Sequence, residues 1–378
     1  YIKINLKKHS KGENLMKGRT DIQKNQNLSL KLHLKNKKVN LTRRKFLKFV
    51  SFGSASVIFP GLSCSYFRSK KAIPTVTGEI IPGKMGITSV HEHIKLQSDP
   101  VQREKSMAFV VSDLKRAKEL GLKTIVCVGP SDNAAGMREI SLATGINIIT
   151  CTGFYILSKE QQSLKVEDFE NHMIKEIENG IQGTQIRPGV IKVAAGLPIK
   201  TVEKDLLIAA AHVQKRYNLP ICTHAVSGCA EQQSILEKAG ADLEHCYFSH
   251  VEATFGWSGR SVEQEIDYLQ GVVEKGSTLS FNNFGNWNHT KPEDLALIIK
   301  ELIRRGYDKR MVATMDVTWS FNEDGNLKIL WEDTNEGGED RNYSYLLRKA
   351  VPWMEKNGIP RKTINKFIID NPRRIFTS

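Results

Sequence analysis

Residues 86–94 read GITSVHEHI, and this stretch decides the fold and the chemistry that we expect. A β-branched, apolar run followed by two histidines is typical of a short strand that ends in His91 and His93. Because side chains alternate between the two faces of a strand, His91 and His93 point the same way and Glu92 points the other way. Two imidazoles on one face can bind a metal ion, although His-x-His also occurs by chance on half-buried strands.

From about residue 73 onward, β-branched runs alternate with amphipathic helical patterns. We predict strands at residues 86–90, 123–128, 147–152, 189–194, 220–223, 246–249, 278–282 and 311–314. Helices are predicted around residues 104–120, 136–144, 166–180, 203–217, 229–239, 262–275, 292–305 and 343–357. This alternation favours a single α/β catalytic domain over residues 73–378, a (β/α)8 TIM barrel. The alternative is a doubly wound open sheet, but no Gly-x-Gly-x-x-Gly follows an early strand. The segment after residue 315 is predicted to be a long polar loop, suited to a substrate lid.

Six chemically reactive side chains fall on or just after five of the predicted strands. They are His91, His93, Lys192, His224, His250 and Asp316. In a barrel, the C-terminal ends of the strands converge on one mouth, so these side chains would meet there. Each has an ordinary explanation when taken alone: a hydrogen-bonded core histidine, a lysine that reaches the surface, or an aspartate that caps the next helix. Together they indicate a metal centre.

Lys192 lies inside the apolar run VIKVA, where an ammonium beside metal ions would be repelled. Its position makes chemical sense if CO2 has converted the amine to a carbamate, an anionic oxygen ligand that can bridge two metal ions.

With these residues included, the chain from 86 to 376 resembles the phosphotriesterase-like branch of the amidohydrolase superfamily. The similarity rests on an ordered set of segments: TSVHEHI at 88–94, TGFY at 152–155, GIQGT at 180–184, GVIKVA at 189–194, PICTH at 220–224, EQQ at 231–233, FSH at 248–250, IRRGY at 303–307, MD at 315–316, VPW at 351–353 and NP at 371–372. Each segment is weak alone, and the ordered set is specific.

The resemblance implies a binuclear metal hydrolase that cleaves an ester, lactone or phosphoester bond by attack of a metal-bridging hydroxide. His91, His93 and Asp316 would hold the more buried ion, and His224 and His250 the more exposed one. Lys192, as N6-carboxylysine, would bridge the two ions, and Asp316 would accept the proton of the attacking water. Zinc suits this donor set, while manganese, cobalt and iron stay open. The family also implies a homodimer.

Substrate choice is expected to depend on the loops. By the resemblance, Tyr155 occupies the place of a pocket tyrosine of the lactonase-like members, which supports an ester or lactone substrate. Those lactonases carry Asp-Arg-Tyr-Gly after the seventh strand, where this chain reads NNFG at 282–285, which argues against homoserine lactones. We expect Asn283 and Trp319 in the substrate pocket. Four loop tryptophans could form its wall or simply pack against the barrel: Trp257, Trp287, Trp319 and Trp331.

The N-terminal residues carry almost all of the net charge. Residues 1–63 contain 15 Lys or Arg and two acidic residues, so they contribute +13 of the net +14 and leave the body at +1. A body without a basic excess predicts no nucleic-acid partner. The basic leader is expected to be disordered or cleaved.

The leader contains TRRKFLK at 42–48, a close match to a twin-arginine signal, followed by a short apolar run to residue 62. A basic amphipathic arm is the alternative reading. We therefore predict passage through the twin-arginine export machinery and a periplasmic or membrane-anchored location. Cys64, within LSCS, resembles the acylated cysteine of bacterial lipoproteins, and ordinary cleavage nearby is the alternative.

The remaining side chains are expected to be structural. Five cysteines without CxxC spacing are predicted to be buried free thiols: Cys127, Cys151, Cys222, Cys229 and Cys246. Four further histidines are predicted not to bind metal: His172, His212, His245 and His289. A second functional class also stays open, in which the chain is a catalytically idle exported protein that uses the barrel mouth only to hold a ligand.

Overall fold

The computed structural model describes residues 72–377 apart from residues 131, 227, 289 and 330–340. The chain divides into Tyr1–Tyr66 and Phe67–Ser378, and only the second part contains described residues. The predicted leader at residues 1–63, its twin-arginine segment and Cys64 therefore lie outside the described residues, as do His289 and Trp331.

The strands occur close to their predicted places, with two additional hairpins. They are β1 (Ile73–Thr75), β2 (Gly78–Ile80), β3 (Ile87–Glu92), β4 (Leu122–Cys127), β5 (Asn147–Ile149), β6 (Cys151–Gly153), β7 (Val190–Ala194), β8 (Ile221–His224), β9 (Cys246–Ser249), β10 (Thr278–Phe281), β11 (Met311–Ala313), β12 (Trp319–Phe321) and β13 (Leu327–Ile329).

Two parallel sheets share the segment at residues 147–153. One sheet has the order β3-β4-β5 and the other has the order β6-β7-β8-β9-β10-β11. Thr150 separates β5 from β6, so the single strand predicted at 147–152 is two short strands. At the far edges, Asp316 N donates to His91 O at 3.0 Å, and His91 N donates to Thr314 Oγ1 at 3.0 Å. The described residues thus form an α/β fold with parallel sheets, and these contacts are consistent with a (β/α)8 barrel.

The helices follow the strands as predicted, with further helices at residues 251–258 and near the C-terminus. They are α1 (Pro100–Glu119), α2 (Ala134–Thr144), α3 (Val166–Asn179), α4 (Thr201–Tyr217), α5 (Cys229–Lys238), α6 (Val251–Ser258), α7 (Val262–Glu274), α8 (Pro292–Arg304), α9 (Val351–Lys356), α10 (Arg361–Asn365) and α11 (Asn371–Ile375). Two π-helical turns, Leu346–Ala350 and Lys366–Asp370, precede α9 and α11. Among the described residues, no helix is both long enough and apolar enough to cross a membrane.

Local sequence explains where the elements begin and which side they bury. Asp99 precedes Pro100 at the start of α1, and its carboxylate accepts a hydrogen bond from Gln102 N at 2.9 Å. In α8, the residues at helical spacing, Leu295, Ile298 and Leu302, are buried. Every residue of β7 is buried because helices and neighbouring strands cover both faces of a parallel sheet. Lys192, in the middle of β7, is therefore forced into the interior.

The segment after residue 315 differs from the prediction of a polar loop. Residues 319–321 pair in antiparallel fashion with residues 327–329, which gives the β12–β13 hairpin. Trp319 begins this hairpin and is buried against Phe109 and Tyr343, with ring centroids 5.4 and 6.3 Å away. An aromatic contact thus anchors the segment, and no local sequence pattern indicates that contact.

Gly153 gives the first test of how tightly β6 and β7 pack. Its φ is +112°, and a Cβ added there would overlap the backbone carbonyl oxygen of Lys192. We expect Gly153→Ala to lower the free energy of unfolding by about 3 kcal/mol, because both backbone strain and overpacking oppose the methyl group. Gly271→Ala in α7, where nothing lies within 4 Å, is the matched control and is expected to be neutral or slightly stabilising. Equal urea-unfolding midpoints for the two variants would contradict this packing.

Candidate metal centre

A cavity of about 850 Å³ opens at the C-terminal ends of the parallel strands. Five of the six side chains predicted as metal ligands line it: His93, Lys192, His224, His250 and Asp316. The sixth, His91, is buried directly behind them and contacts Asp316. The structure therefore brings together six side chains that are spread over more than 200 positions of the sequence.

The carboxylate of Asp316 lies among three imidazoles. Its Oδ1 is 3.1 Å from His93 Nε2 and 3.5 Å from His91 Nε2. Its Oδ2 faces the other side, 3.9 Å from His250 Nε2. One donor atom each from His91, His250 and Asp316 lies within 4.8 Å of the other two. This spacing leaves room for a cation between them.

His224 and Lys192 complete the group on the outer side. The ring of His224 lies 4.5 Å from that of His250 and 4.9 Å from that of Tyr155, centroid to centroid. The Nζ atom of Lys192 lies 3.7 Å from Cys222 Sγ and 5.9 Å from the centre of the Tyr155 ring. Within the described residues, no carboxylate lies within ion-pair distance of this buried amine. A buried lysine without an anionic partner is the environment in which carboxylation of the amine is chemically reasonable.

Two of these side chains are presented by unusual backbone conformations. His250 has a φ of +65° and Asp316 has a φ of +53°, a region that residues with a Cβ rarely adopt. The backbone of His250 is held because its N–H donates to Asn282 Oδ1 at 3.1 Å. His250 directly follows β9 and Asp316 comes three positions after the end of β11, and at both places the left-handed conformation turns the chain and aims the side chain into the cavity.

Burial keeps the imidazoles in the form that binds metals. Burial is the main cause that holds the pKa of His91 and that of His224 well below the usual value. Burial also lowers the pKa of His250 to about 4, although the nearby Asp316 charge opposes this shift. For Asp316, burial favours the neutral acid, but the interactions with His250 and His93 outweigh burial and lower the pKa of its carboxyl group. At neutral pH the imidazoles of His91, His224 and His250 are thus neutral and the carboxylate of Asp316 is ionised.

Two further side chains lie next to these ligands, and no sequence pattern indicated them. Ser249 Oγ lies 2.7 Å from His91 Nδ1, so it fixes the ring of that histidine. Asp132 Oδ2 lies 3.9 Å from His93 Nδ1 and accepts hydrogen bonds from Ile94 N at 3.0 Å and from Cys127 Sγ at 3.1 Å. The sequence signal for Ser249 is its place immediately before His250 on β9.

The loop after β10, which forms one wall of the cavity, is held by two buried charged residues. Glu252 Oε1 accepts hydrogen bonds from the backbone N–H groups of Asn282 and Asn283, both at 2.5 Å. Arg341 Nε donates to Phe284 O at 2.9 Å, and its Nη2 donates to Asn282 O at 2.6 Å. Side chains from distant parts of the chain thus hold the backbone of the NNFG segment at 282–285.

The predicted pocket residues divide into those that reach the cavity and one that does not. Tyr155 and Asn283 line the cavity, as does Trp257, which is 63% exposed. Trp319 does not line it: the prediction that Trp319 belongs to the pocket is wrong, because its ring is 2% exposed and packs between Phe109 and Tyr343. Trp287 packs on Trp353, with ring centroids 5.4 Å apart.

The described histidines that were predicted not to bind metal lie away from the centre. His172 and His212 contact glutamates on the helical surface, and His245 Nδ1 lies 2.8 Å from Ile375 O, before the start of β9. The five described cysteines are buried and free, as predicted: Cys127, Cys151, Cys222, Cys229 and Cys246. The thiol of Cys222 contacts both Lys192 and His91, which the sequence did not indicate.

The donor set fits divalent metal ions. Neutral imidazole nitrogens and a carboxylate, gathered at the ends of parallel strands around one cavity, are the arrangement of metal-dependent hydrolases on α/β barrels. In particular, the chain belongs to the phosphotriesterase family, whose profile matches residues 71–376. This family is a binuclear metal, amidohydrolase-type family, and its assignment makes the chain a hydrolase that acts on small molecules.

Relatives of known name cover most of the chain at low identity. An N-acetyltaurine hydrolase of Danio rerio is 26% identical over 81% of this chain and 97% of its own length. An aryldialkylphosphatase of Saccharolobus solfataricus is 27% identical over 81% of this chain and 99% of its own length. A phosphotriesterase homology protein of Escherichia coli is 24% identical over 77% of this chain and 98% of its own length. These names differ in substrate, so they define the family and not the bond that this chain cleaves.

Proposed function

We propose that the chain is a hydrolase that binds two zinc ions on a closed (β/α)8 barrel and cleaves an ester, lactone or phosphoester bond. The observation that carries the proposal is the position of Asp316, whose two carboxylate oxygens face different imidazoles at the base of the cavity. His91, His93 and Asp316 would hold one ion, and His224 and His250 the other. Lys192, carboxylated on Nζ, would be shared by both.

Two bound cations would supply a water of lowered pKa and a Lewis acid for the carbonyl or phosphoryl oxygen of the substrate. The chain's own residues would provide the proton acceptor, the neutral imidazoles and the contacts with the substrate. Asp316 Oδ2, on the side of His250, is placed to accept a proton from the attacking water. The buried imidazoles stay neutral, because charging them inside the protein is unfavourable. The cavity wall orients the substrate.

The lining of the cavity contains both apolar and polar side chains, which favours a substrate with two unlike parts. Tyr155, Ile156, Leu157 and Trp257 are among the lining residues and suit an apolar acyl, alkyl or aryl group. Asn283 and Thr318 also line the cavity and offer hydrogen bonds to a polar group. Amide cleavage is the second candidate activity, supported by the relatives named for N-acetyltaurine hydrolysis.

A substrate panel tests which bond is cleaved. We expect zinc-loaded protein to hydrolyse at least one member of a panel that contains aryl esters, lactones, a paraoxon-like triester and N-acyl amides. Chelation should abolish that activity and added zinc should restore it. A protein that binds panel members without turnover at any metal loading would instead support the idle binding protein.

Trp257→Ala should raise KM by about 10-fold for substrates with a large apolar group, because it removes apolar contact area. KM for small substrates should stay unchanged.

We also propose that the chain is exported through the twin-arginine route, which carries folded proteins and so would allow metal loading before export. The support is the TRRKFLK segment at 42–48. Replacing both Arg43 and Arg44 with lysine should keep the protein in the cytoplasm, because guanidinium and ammonium groups are not equivalent in recognition. Acylation of Cys64 is tested by Cys64→Ala, which should release an anchored protein from membranes. Pairing into a homodimer stays a prediction from the family, to be measured by the mass of the protein in solution.

A further inference from the structure

Glu92, the residue between the two histidines of β3, has no place in the metal centre, yet it is fully buried. Its side chain points away from His91 and His93 and toward the segment that follows β11. Its Oε1 accepts a hydrogen bond from Met315 N at 3.2 Å, and its Oε2 accepts one from Val317 N at 2.9 Å. These are the two amide groups on either side of Asp316.

The amide between them is held by the same strand. Asp316 N donates to the carbonyl oxygen of His91 at 3.0 Å, so three successive N–H groups all bind to two adjacent residues of β3. In addition, Arg341 Nη2 donates to Met315 O. A carboxylate and a guanidinium therefore both form hydrogen bonds with the backbone around Asp316.

These hydrogen bonds surround a residue with an unfavourable backbone conformation. Asp316 has a φ of +53°, which costs conformational free energy for any residue with a Cβ and persists only when surrounding contacts impose it. With a right-handed backbone at this position, the Asp316 carboxylate would leave the imidazoles of His91 and His93. The direction of this one side chain therefore depends on the amide contacts.

We propose that Glu92 is a positioning residue: its carboxylate binds the amides of Met315 and Val317 and so holds Asp316 in the left-handed conformation that aims it at the metal site. Two hydroxyl groups fix the carboxylate in turn, since Ser89 Oγ donates to Oε1 and Thr314 Oγ1 lies 3.2 Å from the same atom. The inference rests on the proposed function for its effect on metal binding, but the backbone effect is independent of it.

Glutamine is the sharpest substitution because it keeps the size of the side chain. A glutamine accepts hydrogen bonds with only one oxygen, so in Glu92→Gln one of the two N–H groups must face an NH2 group. In the metal-free protein we expect hydrogen exchange in the peptide that contains residues 315–317 to become about 10- to 100-fold faster, while peptides from β7 and β8 are unchanged. Unchanged exchange at 315–317 would overturn the proposal.

Glu265→Gln is the matched control. Glu265 is also fully buried, but it lies on α7 and pairs with Arg260, its Oε2 2.5 Å from Arg260 Nε. It should leave exchange at 315–317 unchanged even if it lowers overall stability. Should Glu92→Gln fail to fold, Ser89→Ala decides the question, because it removes only one donor to the carboxylate. Faster exchange at 315–317 in that variant supports the positioning role of Glu92, and no change there overturns it.

Metal binding gives the second readout. In Glu92→Gln we expect the cobalt-loaded protein to show an altered visible spectrum and about 10- to 100-fold weaker binding of the ion held by Asp316, with kcat reduced and KM within about twofold. Unchanged exchange refutes the role of Glu92 whatever the metal does. If neither the wild type nor the variant binds metal but exchange is faster in the variant, the proposed function is refuted and the positioning role of Glu92 is supported.

Discussion

Lys192→Ala is expected to lower kcat/KM by at least about 100-fold, because it removes the one group that the proposed centre would share between both cations. The physical basis is the burial of the amine. Lys192 is 1% exposed, and its Nζ contacts Cys222 Sγ at 3.7 Å. An uncharged alanine leaves the imidazoles in place but offers no oxygen to either ion, so metal content should fall together with turnover.

Carboxylation of the amine gives this prediction a second, independent readout. Wild-type protein loaded with zinc should gain activity when bicarbonate is present, and the Lys192→Ala variant should not respond to it. Lys215→Ala is the matched control, since Lys215 lies on α4, is exposed to solvent and does not line the cavity. Full activity of the Lys192→Ala variant would refute the role assigned to this lysine.

Asp316→Asn is expected to lower kcat by about 1,000-fold with little loss of stability. Asparagine has nearly the same shape and tolerates a positive φ as well as aspartate does, so the backbone at φ +53° is preserved. It removes the negative charge that faces His91, His93 and His250, and with it both a metal ligand and the proton acceptor.

Kinetics and metal analysis on the same samples separate the two losses. A variant that keeps two ions per chain but loses turnover would assign Asp316 mainly to proton transfer. A variant that loses one ion would assign it mainly to metal binding. Asp324→Asn, an exposed aspartate in the turn between β12 and β13, should behave as wild type. An Asp316→Asn variant with wild-type kcat would show that the carboxylate has neither role.

The positions of the strands and their ends could be predicted from local sequence because parallel strands are covered on both faces. Such strands appear as continuous apolar runs, and a polar residue at the end of a run is conspicuous. His224 follows the buried run of β8, and Asp316 follows that of β11. The family assignment, the parallel α/β fold and the buried free cysteines are confirmed.

The contacts that support the site could not be predicted, because their partners lie far apart in the chain and share no periodic pattern. The orientation of Glu92 follows from the alternation of β3, but its binding to Met315 and Val317 spans more than 220 positions. Arg341 approaches from beyond β13, and nothing local distinguishes it from a surface arginine. Trp319 was misplaced for the same reason: an aromatic side chain in a loop packs against the core or lines a cavity according to its neighbours in space, here Phe109 and Tyr343.

The most direct test of the central claim is the number of metal ions that one chain binds. Purified protein would be freed of metal, loaded with zinc and bicarbonate, separated from unbound ions and measured by elemental analysis. The account predicts two zinc ions per chain, held by side chains from five strand ends. Fewer than one ion per chain after loading would contradict it.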